Sequence, residues 1–368
     1  MRLFQVAAVL AALTGPAVGS ELPSSAGTLS ITPMARGLEE PWGLAFLPDG
    51  GFLVTERDSG RLLLFAGPDA EPVALSGLPK VAAVGQGGLL DVMVPRDFAE
   101  SREIYLSYSV DGFRNLATAL GYGRLSEDGT ALERFRQIYR MPLGGRNGQH
   151  FGARIVEALD GALFLTVGDR GEPDLAQDFG RDNGAVLRMA RNGDIPADNP
   201  FASSWSAPRV FSKGHRNPQG AALDGEGRLW IVEHGAQGGD ELNRVEAGRN
   251  YGWPAISYGL NYDGSKIGVG TEKAGMEQPE HYWDPSIAPS GLAVYSGRMI
   301  PQWAGDFLIG SLKFDMIARL DADAGMVEER LSAPETGRVR DVREAPDGSI
   351  WFLSVYDGAV YRMAPAGK

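Results

Sequence analysis

The sequence contains no cysteine, and only four of its 368 residues are histidines. Without thiols the chain can form no disulfides and offers no thiolate ligands, so cysteine-based zinc and iron sites are excluded. Positive charge is also scarce, because 35 lysines and arginines stand against 47 aspartates and glutamates, which gives a net charge of −12. This acidic balance argues against nucleic acid and anionic membranes as partners.

Long apolar runs are missing after the first twenty residues. The amino terminus itself has Arg2, an apolar run over 3–13, Pro16 and then small residues up to Gly19. This order is typical of a secretory signal peptide, which we predict over residues 1–19. The alternative is a membrane anchor, but an anchor requires about 20 apolar residues. We therefore expect export, without stable membrane insertion, and a periplasmic location.

Six similar segments make up most of the remaining chain. Each has a short apolar strand, a turn such as Pro-Asp-Gly or Asp-Gly, and a second strand with alternating apolar residues. An Asp-Gly turn between alternating strands is a strong signal for a β-hairpin. The segments are 43–65, 91–109, 153–171, 220–235, 291–312 and 341–363.

Six hairpins of this kind predict an all-β fold, a six-bladed β-propeller of four-stranded antiparallel blades. Closing the blades into a ring removes long open edges. Because the last hairpin ends close to the carboxyl terminus, we expect a strand from near residue 30 to complete the final blade. We predict an N-terminal lead-in over 20–34 and one propeller domain over 35–368. The alternative is a pair of β-sandwiches, which would not need six similar hairpins.

One histidine stands beside a candidate carboxylate partner. His150 lies directly before the third hairpin, in "GRNGQHFGARI", and Asp169 ends that hairpin in "TVGDRG". Antiparallel pairing would bring the carboxylate back beside the imidazole. A carboxylate that accepts from one ring nitrogen leaves the other nitrogen free to act as a base. The alternative is a hydrogen-bonded structural histidine.

Cationic and amide side chains stand at several strand entrances. Arg216 and Asn217 lie in "GHRNPQG", Lys313 lies in "IGSLKFD", and Arg338 and Arg340 lie in "TGRVRDV". Arginine suits carboxylates and polarised carbonyl oxygens, so these groups would together form a positive pocket for an anion. A single one is more often a surface charge, but the last two arginines are two residues apart and face one side of a strand.

The segment "EHGAQGGDELNRVEAGRNYGWP" is rich in oxygen ligands. Asp240, Glu241 and the backbone around Tyr251 offer the hard oxygens that calcium takes, six to eight at a time. The alternative is a solvated acidic loop, and both interpretations remain open on composition alone.

The motifs "QHFGARI", "VGDRG", "GHRNPQG", "EHGAQGGDELN", "GRNYGWP" and "GRVRDV" together resemble those of soluble aldose sugar dehydrogenases that depend on pyrroloquinoline quinone (PQQ). These enzymes belong to the glucose/sorbosone dehydrogenase group of six-bladed propellers, and the resemblance extends from about residue 35 to the carboxyl terminus. It implies oxidation of an aldose at its anomeric carbon to the lactone, with PQQ and calcium as cofactors. The implied partners are an aldose substrate and an electron acceptor of unknown identity, in a monomer or homodimer.

The resemblance also implies a role for each matching residue. His150 would be the general base, Asp169 its orienting carboxylate, and Arg216 a contact of the quinone oxygens. The other implied cofactor-binding residues are Gln86, Asn217, Tyr262, Lys313, Arg338 and Arg340. The implied calcium ligands are the backbone carbonyls of Gly235 and Ala236 beside the cofactor, and Glu241 with the Tyr251 carbonyl at a separate structural calcium.

Two residues depart from the family pattern. His234 stands where a glutamine is common in the glucose enzymes, and Ala236 replaces a proline, although a backbone carbonyl is available in both cases. The loops that shape the sugar pocket look shorter, which leaves the preferred sugar open. Two other functions are considered. A calcium-dependent propeller lactonase or esterase would not need four cations in the channel, and a non-catalytic ligand-binding propeller would tolerate loss of His150.

Overall fold

The computed structural model describes residues 19–112, 115–142, 144–145 and 147–367. Its regular structure is almost entirely β. Among the described residues the helices are α1 (Phe98–Ser101) and three 3₁₀ turns (Pro173–Gln177, Pro301–Trp303 and Pro334–Thr336), none of which is long enough to cross a bilayer. Residues 1–18, which carry most of the predicted signal peptide, lie outside the described residues.

The strands of the described residues fall into six groups, taken here in chain order. The amino-terminal pair is β1 (Ser20–Ser24) and β2 (Gly27–Arg36). The first two blades contain β3 (Pro41–Phe46), β4 (Phe52–Glu56), β5 (Leu62–Phe65), β6 (Val73–Ala74), β7 (Leu89–Met93), β8 (Glu103–Gly112), β9 (Asn115–Leu125) and β10 (Leu132–Arg140). The next two contain β11 (Ile155–Glu157), β12 (Leu163–Val167), β13 (Ala185–Met189), β14 (Val210–Lys213), β15 (Pro218–Leu223), β16 (Leu229–Glu233), β17 (Asp240–Val245) and β18 (His281–Trp283). The last two contain β19 (Pro289–Val294), β20 (Phe307–Ser311), β21 (Ile317–Asp321), β22 (Val327–Leu331), β23 (Val339–Glu344), β24 (Ile350–Ser354) and β25 (Ala359–Pro365).

These strands form six antiparallel sheets arranged in a ring. Five sheets are four consecutive strands each, namely β3–β6, β7–β10, β11–β14, β15–β18 and β19–β22. The first strand of each sheet contacts the first strand of the next, and β23 of the sixth sheet contacts both β19 and β3, which closes the ring. The predicted six-bladed propeller is therefore confirmed.

The sixth sheet is completed by the amino terminus. Its strand order is β1, β2, β25, β24, β23, and β2 pairs with β25 so that Leu29 faces Pro365 and Arg36 faces Ala359. The strand from near residue 30 thus closes the last blade as expected. Residues 20–34, predicted as a lead-in, are part of this sheet, because the boundary drawn at residue 35 falls inside β2.

Hydrophobic layers between neighbouring sheets hold the blades together. The second strands of the blades, such as β4 and β12, are buried along their whole length because a neighbouring blade covers each face. Alternating apolar residues on both sides of a strand supply this burial, which is the main favourable contribution to folding. The turns lie at the periphery, where Gly50 takes a left-handed conformation with φ 92° in the first Asp-Gly turn.

A buried ion-pair network links the inner strands at the centre of the ring. Arg154 Nη1 lies 3.0 Å from both Asp91 Oδ1 and Asp341 Oδ2, and Arg343 pairs with the same two carboxylates. Arg154 also donates to the carbonyl of Arg340 at 3.1 Å. Burial raises the pKa of Asp91, and the two guanidinium groups oppose that rise. The network ties three blades together directly beside the central cavity.

Candidate active site

A cavity of about 470 Å³ lies at the end of the ring where the inner strands begin. Its volume is in the range of about 300–1,000 Å³ that small-molecule and cofactor sites occupy. Every blade contributes at or just before its inner strand, through Trp42, Leu90, Gly152, Gln219, Ala288 and Arg340. The predicted site residues that line the cavity are Gln86, Asn217, Lys313, Arg338 and Arg340.

The predicted base pair lies at the edge of this cavity. His150 directly precedes Phe151 and Gly152, which line it, and His150 Nδ1 lies 2.7 Å from Asp169 Oδ1. The Asp169 side chain is fully buried, whereas 12% of the His150 side chain is exposed. A carboxylate on Nδ1 leaves Nε2 as the nitrogen that can take a proton from a ligand.

Local backbone features bring the two side chains together. His150 has a left-handed backbone with φ 54°, an uncommon conformation that histidine tolerates better than most residues. Asp169 follows β12 after Gly168, and a Cβ on Gly168 would lie only 2.7 Å from the carbonyl carbon of His150. A glycine is therefore required for the hairpin to pass this close to the histidine.

Asp169 is fixed by four further hydrogen bonds. Its Oδ1 accepts from the Gly171 N–H at 2.7 Å, and its Oδ2 accepts from Trp253 Nε1 at 2.8 Å. Its own N–H donates to the Arg216 carbonyl at 2.8 Å, and Asn183 Nδ2 donates to its carbonyl at 3.1 Å. The carboxylate thus has a single orientation, with one oxygen directed at the imidazole.

The residues of "GHRN" divide into structural and cavity-side groups. His215 is fully buried, with Nδ1 2.8 Å from Glu233 Oε1, and the Arg216 N–H donates to Glu233 Oε2 at 2.7 Å. The Arg216 guanidinium lies 5.3 Å from the centre of the Trp253 ring and 3.5 Å from the carbonyl oxygen of His234. Glu233 therefore fixes the backbone, while Trp253 and His234 fix the guanidinium.

Three amide side chains form a connected set on the cavity wall. Asn217 Oδ1 accepts from Gln219 Nε2 at 3.1 Å, and Gln219 Oε1 accepts from Arg340 Nη1 at 3.0 Å. Gln86 Oε1 accepts from the backbone N–H of His150 at 2.7 Å. Since these oxygens are used within the protein, the amide nitrogens of Gln86 and Asn217 are the groups suited to donate to a ligand.

The cations of the cavity are largely without acidic partners. Arg57 pairs with Glu40 at 3.1 Å, but within the described ranges the salt bridges include none of Lys313, Arg338 and Arg340. Burial and the neighbouring guanidinium groups lower the pKa of Arg340 to about 9, which reflects how strongly positive this wall is. Such a group of cations can bind a ligand with several carboxylates.

His234 lines the cavity as a neutral imidazole. Burial lowers its pKa to about 3, and the charges of Arg216 and Arg340 act in the same direction. Its Nε2 lies 2.7 Å from the carbonyl oxygen of Pro289, so the neutral ring donates there and presents Nδ1 as an acceptor.

A second, very small cavity of about 10 Å³ lies behind the first. Three of the four predicted calcium-ligand residues, Gly235, Glu241 and Tyr251, line it together with Glu233. Ala236 is half-buried and is not among its lining residues. The space is sufficient for one ion or one water.

The carboxylates of this small cavity are crowded. Burial and the nearby Glu233 raise the pKa of Glu241 to about 8, and Asn243 Nδ2 donates to both carboxylates at 3.0 and 3.1 Å. Asn243 Oδ1 is buried without a hydrogen-bond partner in the described part of the chain. No group of three or more acidic or histidine side chains forms a metal cluster among the described residues, so a cation here would need backbone carbonyls as well.

Tyr262 lies apart from both cavities. It is 76% exposed and is not among the residues that line either of them. Its assignment as a cofactor or substrate neighbour remains a prediction from the family resemblance.

Several residues of the site were not singled out from the sequence, namely Trp42, Arg57, Gln219, Trp253 and Tyr356. Trp42 packs its ring against the guanidinium groups of Arg154 and Arg340, at 4.2 and 5.7 Å. A signal was available for some of them, because Arg57 and Tyr356 directly follow strands whose turns face the cavity, and Trp253 lies within a quoted motif. No local signal connects Trp253 to Asp169.

Comparison with known proteins agrees with this geometry. The family model for glucose/sorbosone dehydrogenase matches residues 38–362. The aldose sugar dehydrogenase YliI of Escherichia coli is 41% identical over 357 residues, with 95% of this chain and 96% of that protein covered. A crystal structure of the apo form of the soluble aldose sugar dehydrogenase of E. coli superposes with a TM-score of 0.86 at 39% identity, covering 92% of this chain and 99% of that chain.

A third match carries a cofactor in its description. The PQQ-bound form of an aldose sugar dehydrogenase from Streptomyces coelicolor superposes with a TM-score of 0.75 at 27% identity, covering 91% of this chain and 98% of that chain. The family indicated by the sequence motifs is thus confirmed. The chain belongs to the glucose/sorbosone dehydrogenase family and is an oxidoreductase.

Proposed function

We propose that this enzyme oxidises aldose sugars at the anomeric carbon and releases the lactone. In the balanced reaction the C1–H leaves as a hydride to PQQ, the C1 hydroxyl proton goes to His150, and the ring carbon becomes a carbonyl. When bound, PQQ supplies the two-electron acceptor, and Ca²⁺ withdraws electron density from its quinone oxygens. The activities named for the relatives, aldose sugar dehydrogenases of E. coli and S. coelicolor, support this substrate class.

The observation that carries the proposal is the buried pair of His150 and Asp169 at 2.7 Å on the edge of a strongly cationic cavity. A base must have an unprotonated nitrogen within reach of the substrate hydroxyl, and Nε2 of His150 meets this need because Nδ1 is engaged by Asp169. The buried carboxylate would also stabilise the imidazolium that forms after proton transfer.

The cavity fits the chemistry of PQQ, a planar molecule with three carboxylates and two adjacent quinone oxygens. Lys313, Arg338 and Arg340 lack acidic partners in the described ranges and would bind carboxylates. Arg216 would donate to a quinone oxygen, and Asn217 would add an amide donor beside it. The ring of Trp42, held by two guanidinium groups, would form one flat wall for a planar ligand.

The calcium part of the proposal rests on oxygen donors behind the cavity. The carbonyls of Gly235 and Ala236 would bind an ion at the cofactor, and Glu241 with the Tyr251 carbonyl would bind a structural ion. The unpartnered Asn243 Oδ1 and the crowded carboxylates support a cation there, because buried negative charge is costly without one.

Export to the periplasm, the electron acceptor and the oligomeric state remain predictions. The segment that would direct export, residues 1–18, lies outside the described residues. The sugar preference is likewise part of the proposal.

The proposal is tested by reconstitution. Apo-protein is loaded with PQQ and calcium, and reduction of an artificial dye is followed with a panel of aldoses while the lactone is measured. We expect sugar-dependent dye reduction, and in His150→Ala we expect PQQ affinity to persist while turnover falls about 10²–10⁴-fold. Lactone hydrolysis without PQQ would instead indicate a hydrolase, and tight PQQ binding with no sugar-dependent reduction would indicate a binding protein. Full turnover in PQQ-loaded His150→Ala would reject the base assignment.

A further inference from the structure

Trp253 connects the base pair to the neighbouring arginine. Its Nε1 donates to Asp169 Oδ2 at 2.8 Å, and the face of its ring lies 5.3 Å from the guanidinium carbon of Arg216. The residue is 9% exposed. A single side chain therefore contacts two of the three residues to which the proposed function gives a chemical role, one through its edge and the other through its face.

Trp253 is itself held in place from several directions. Its N–H donates to the Gly214 carbonyl at 2.9 Å, and its carbonyl accepts from Gln177 Nε2 at 2.7 Å. The indole packs in a small apolar cluster with Ala176 and Ile267. Because its own position is fixed, the indole can impose an orientation on the groups that it touches.

The indole contact determines the proton positions in the base pair. An indole nitrogen only donates, so Asp169 Oδ2 acts as an acceptor. Oδ1 accepts from the Gly171 N–H at 2.7 Å, and hydrogen bonds of this kind favour the ionised carboxylate. With Asp169 ionised, His150 Nδ1 is the donor of their hydrogen bond. Nε2 of His150 is then unprotonated, which is the state that a base requires.

We propose that Trp253 is a positioning residue for sugar oxidation. Its N–H holds Asp169 and, through Asp169, fixes the tautomer of His150, while its ring holds Arg216 in the same wall of the site. The catalytic consequence rests on the proposed function, but the hydrogen-bond consequence can be measured in the protein without any cofactor.

The first test separates the edge of the indole from its face. Trp253→Phe removes the N–H and retains an aromatic ring for Arg216. We expect kcat of the PQQ-loaded enzyme to fall about 10- to 100-fold, the effect of losing a hydrogen bond to a charged group, with KM changed by no more than about twofold. The matched control is Trp230→Phe, because Trp230 Nε1 also lies 2.8 Å from a carboxylate, that of Asp224. Trp230 is 6% exposed and is not a cavity-lining residue, so its variant should keep wild-type kcat.

The second test reads the tautomer directly in the apo-protein. Nitrogen-15 spectra of the four histidines, with His150 assigned by its loss in His150→Ala, should show the Nδ1-protonated form in the wild type and in Trp230→Phe. In Trp253→Phe we expect a mixture of the two tautomers. An unchanged tautomer, or an unchanged kcat, in Trp253→Phe overturns the proposal. If the wild type oxidises no sugar, the proposed function fails, while the spectra still decide whether Trp253 controls the base pair.

A third measurement applies if Trp253→Phe does not fold. In Asp169→Asn the indole N–H of Trp253 faces an amide in place of a carboxylate. One of the seven indole signals should then shift strongly relative to the wild type, and the absence of any such shift overturns the proposal.

Discussion

A methyl group at residue 168 should separate the catalytic histidine from its carboxylate. A Cβ on Gly168 would lie 2.7 Å from the carbonyl carbon of His150 and 3.0 Å from its Cβ, with the carbonyl oxygen closer still. Carbon atoms in ordinary contact are about 3.5–4.0 Å apart, so one of the two segments must move by about 1 Å. The hydrogen bond between His150 and Asp169, 2.7 Å long, has no room for such a shift. A displacement of about 1 Å at reacting groups can reduce a rate about 100-fold.

The assay compares Gly168→Ala with a glycine variant that meets nothing. A Cβ on Gly225 has no atom within 4 Å, so Gly225→Ala should keep wild-type activity. For Gly168→Ala we expect kcat of the PQQ-loaded enzyme to fall about 100-fold with PQQ affinity retained. Overpacking should also reduce the free energy of unfolding by about 1–3 kcal/mol, measured by urea denaturation. Wild-type kcat in Gly168→Ala would refute the argument that this close approach sets the geometry of the base pair.

Three further predictions concern the walls of the site. Lys313→Met should weaken PQQ binding about tenfold without changing the melting temperature, because Lys313 is exposed and a charge-assisted hydrogen bond is lost; titration calorimetry against Lys273→Met, another exposed lysine, checks this. Arg154→Met should lower the free energy of unfolding by about 3–5 kcal/mol, because it leaves Asp91 and Asp341 buried with one guanidinium fewer, whereas Arg228→Met, which breaks a half-exposed pair, should cost about 1 kcal/mol or less. Removing calcium with a chelator should lower the melting temperature, and calcium but not magnesium should restore it, since Mg²⁺ demands a tighter octahedral geometry; an unchanged melting temperature would count against a structural calcium at Glu241.

The fold was predictable because its signals are local and repeated. An Asp-Gly or Pro-Asp-Gly turn between alternating strands, such as that at Gly50, identifies a hairpin from a few residues. The need for a closing strand followed from the position of the last hairpin. The boundary at residue 35 was wrong because a sequence pattern does not show that β2 continues across it to pair with β25.

The site was predictable where side chains cluster in sequence beside a strand entrance. Arg338 and Arg340 were expected on one side of a strand, and both line the cavity. The first of them reaches it differently, since it precedes β23 in a left-handed conformation with φ 48°. Tyr262 shows the limit of this reasoning, because a residue in a long loop can match a motif and still point away from the cavities.

The remaining part of the site depends on contacts between distant segments, and Trp253 is the clearest example. Its indole reaches Asp169 across 84 residues of sequence, and this contact depends on how the third and fourth blades pack. The same packing places the Arg216 carbonyl on the Asp169 N–H. Closure of the ring fixes the distance between neighbouring blades, and that distance decides which side chains meet at the cavity. The base pair is therefore a product of propeller closure as much as of the hairpin that carries its two residues. Substitutions at the interface between the third and fourth blades should affect catalysis even where they touch no ligand.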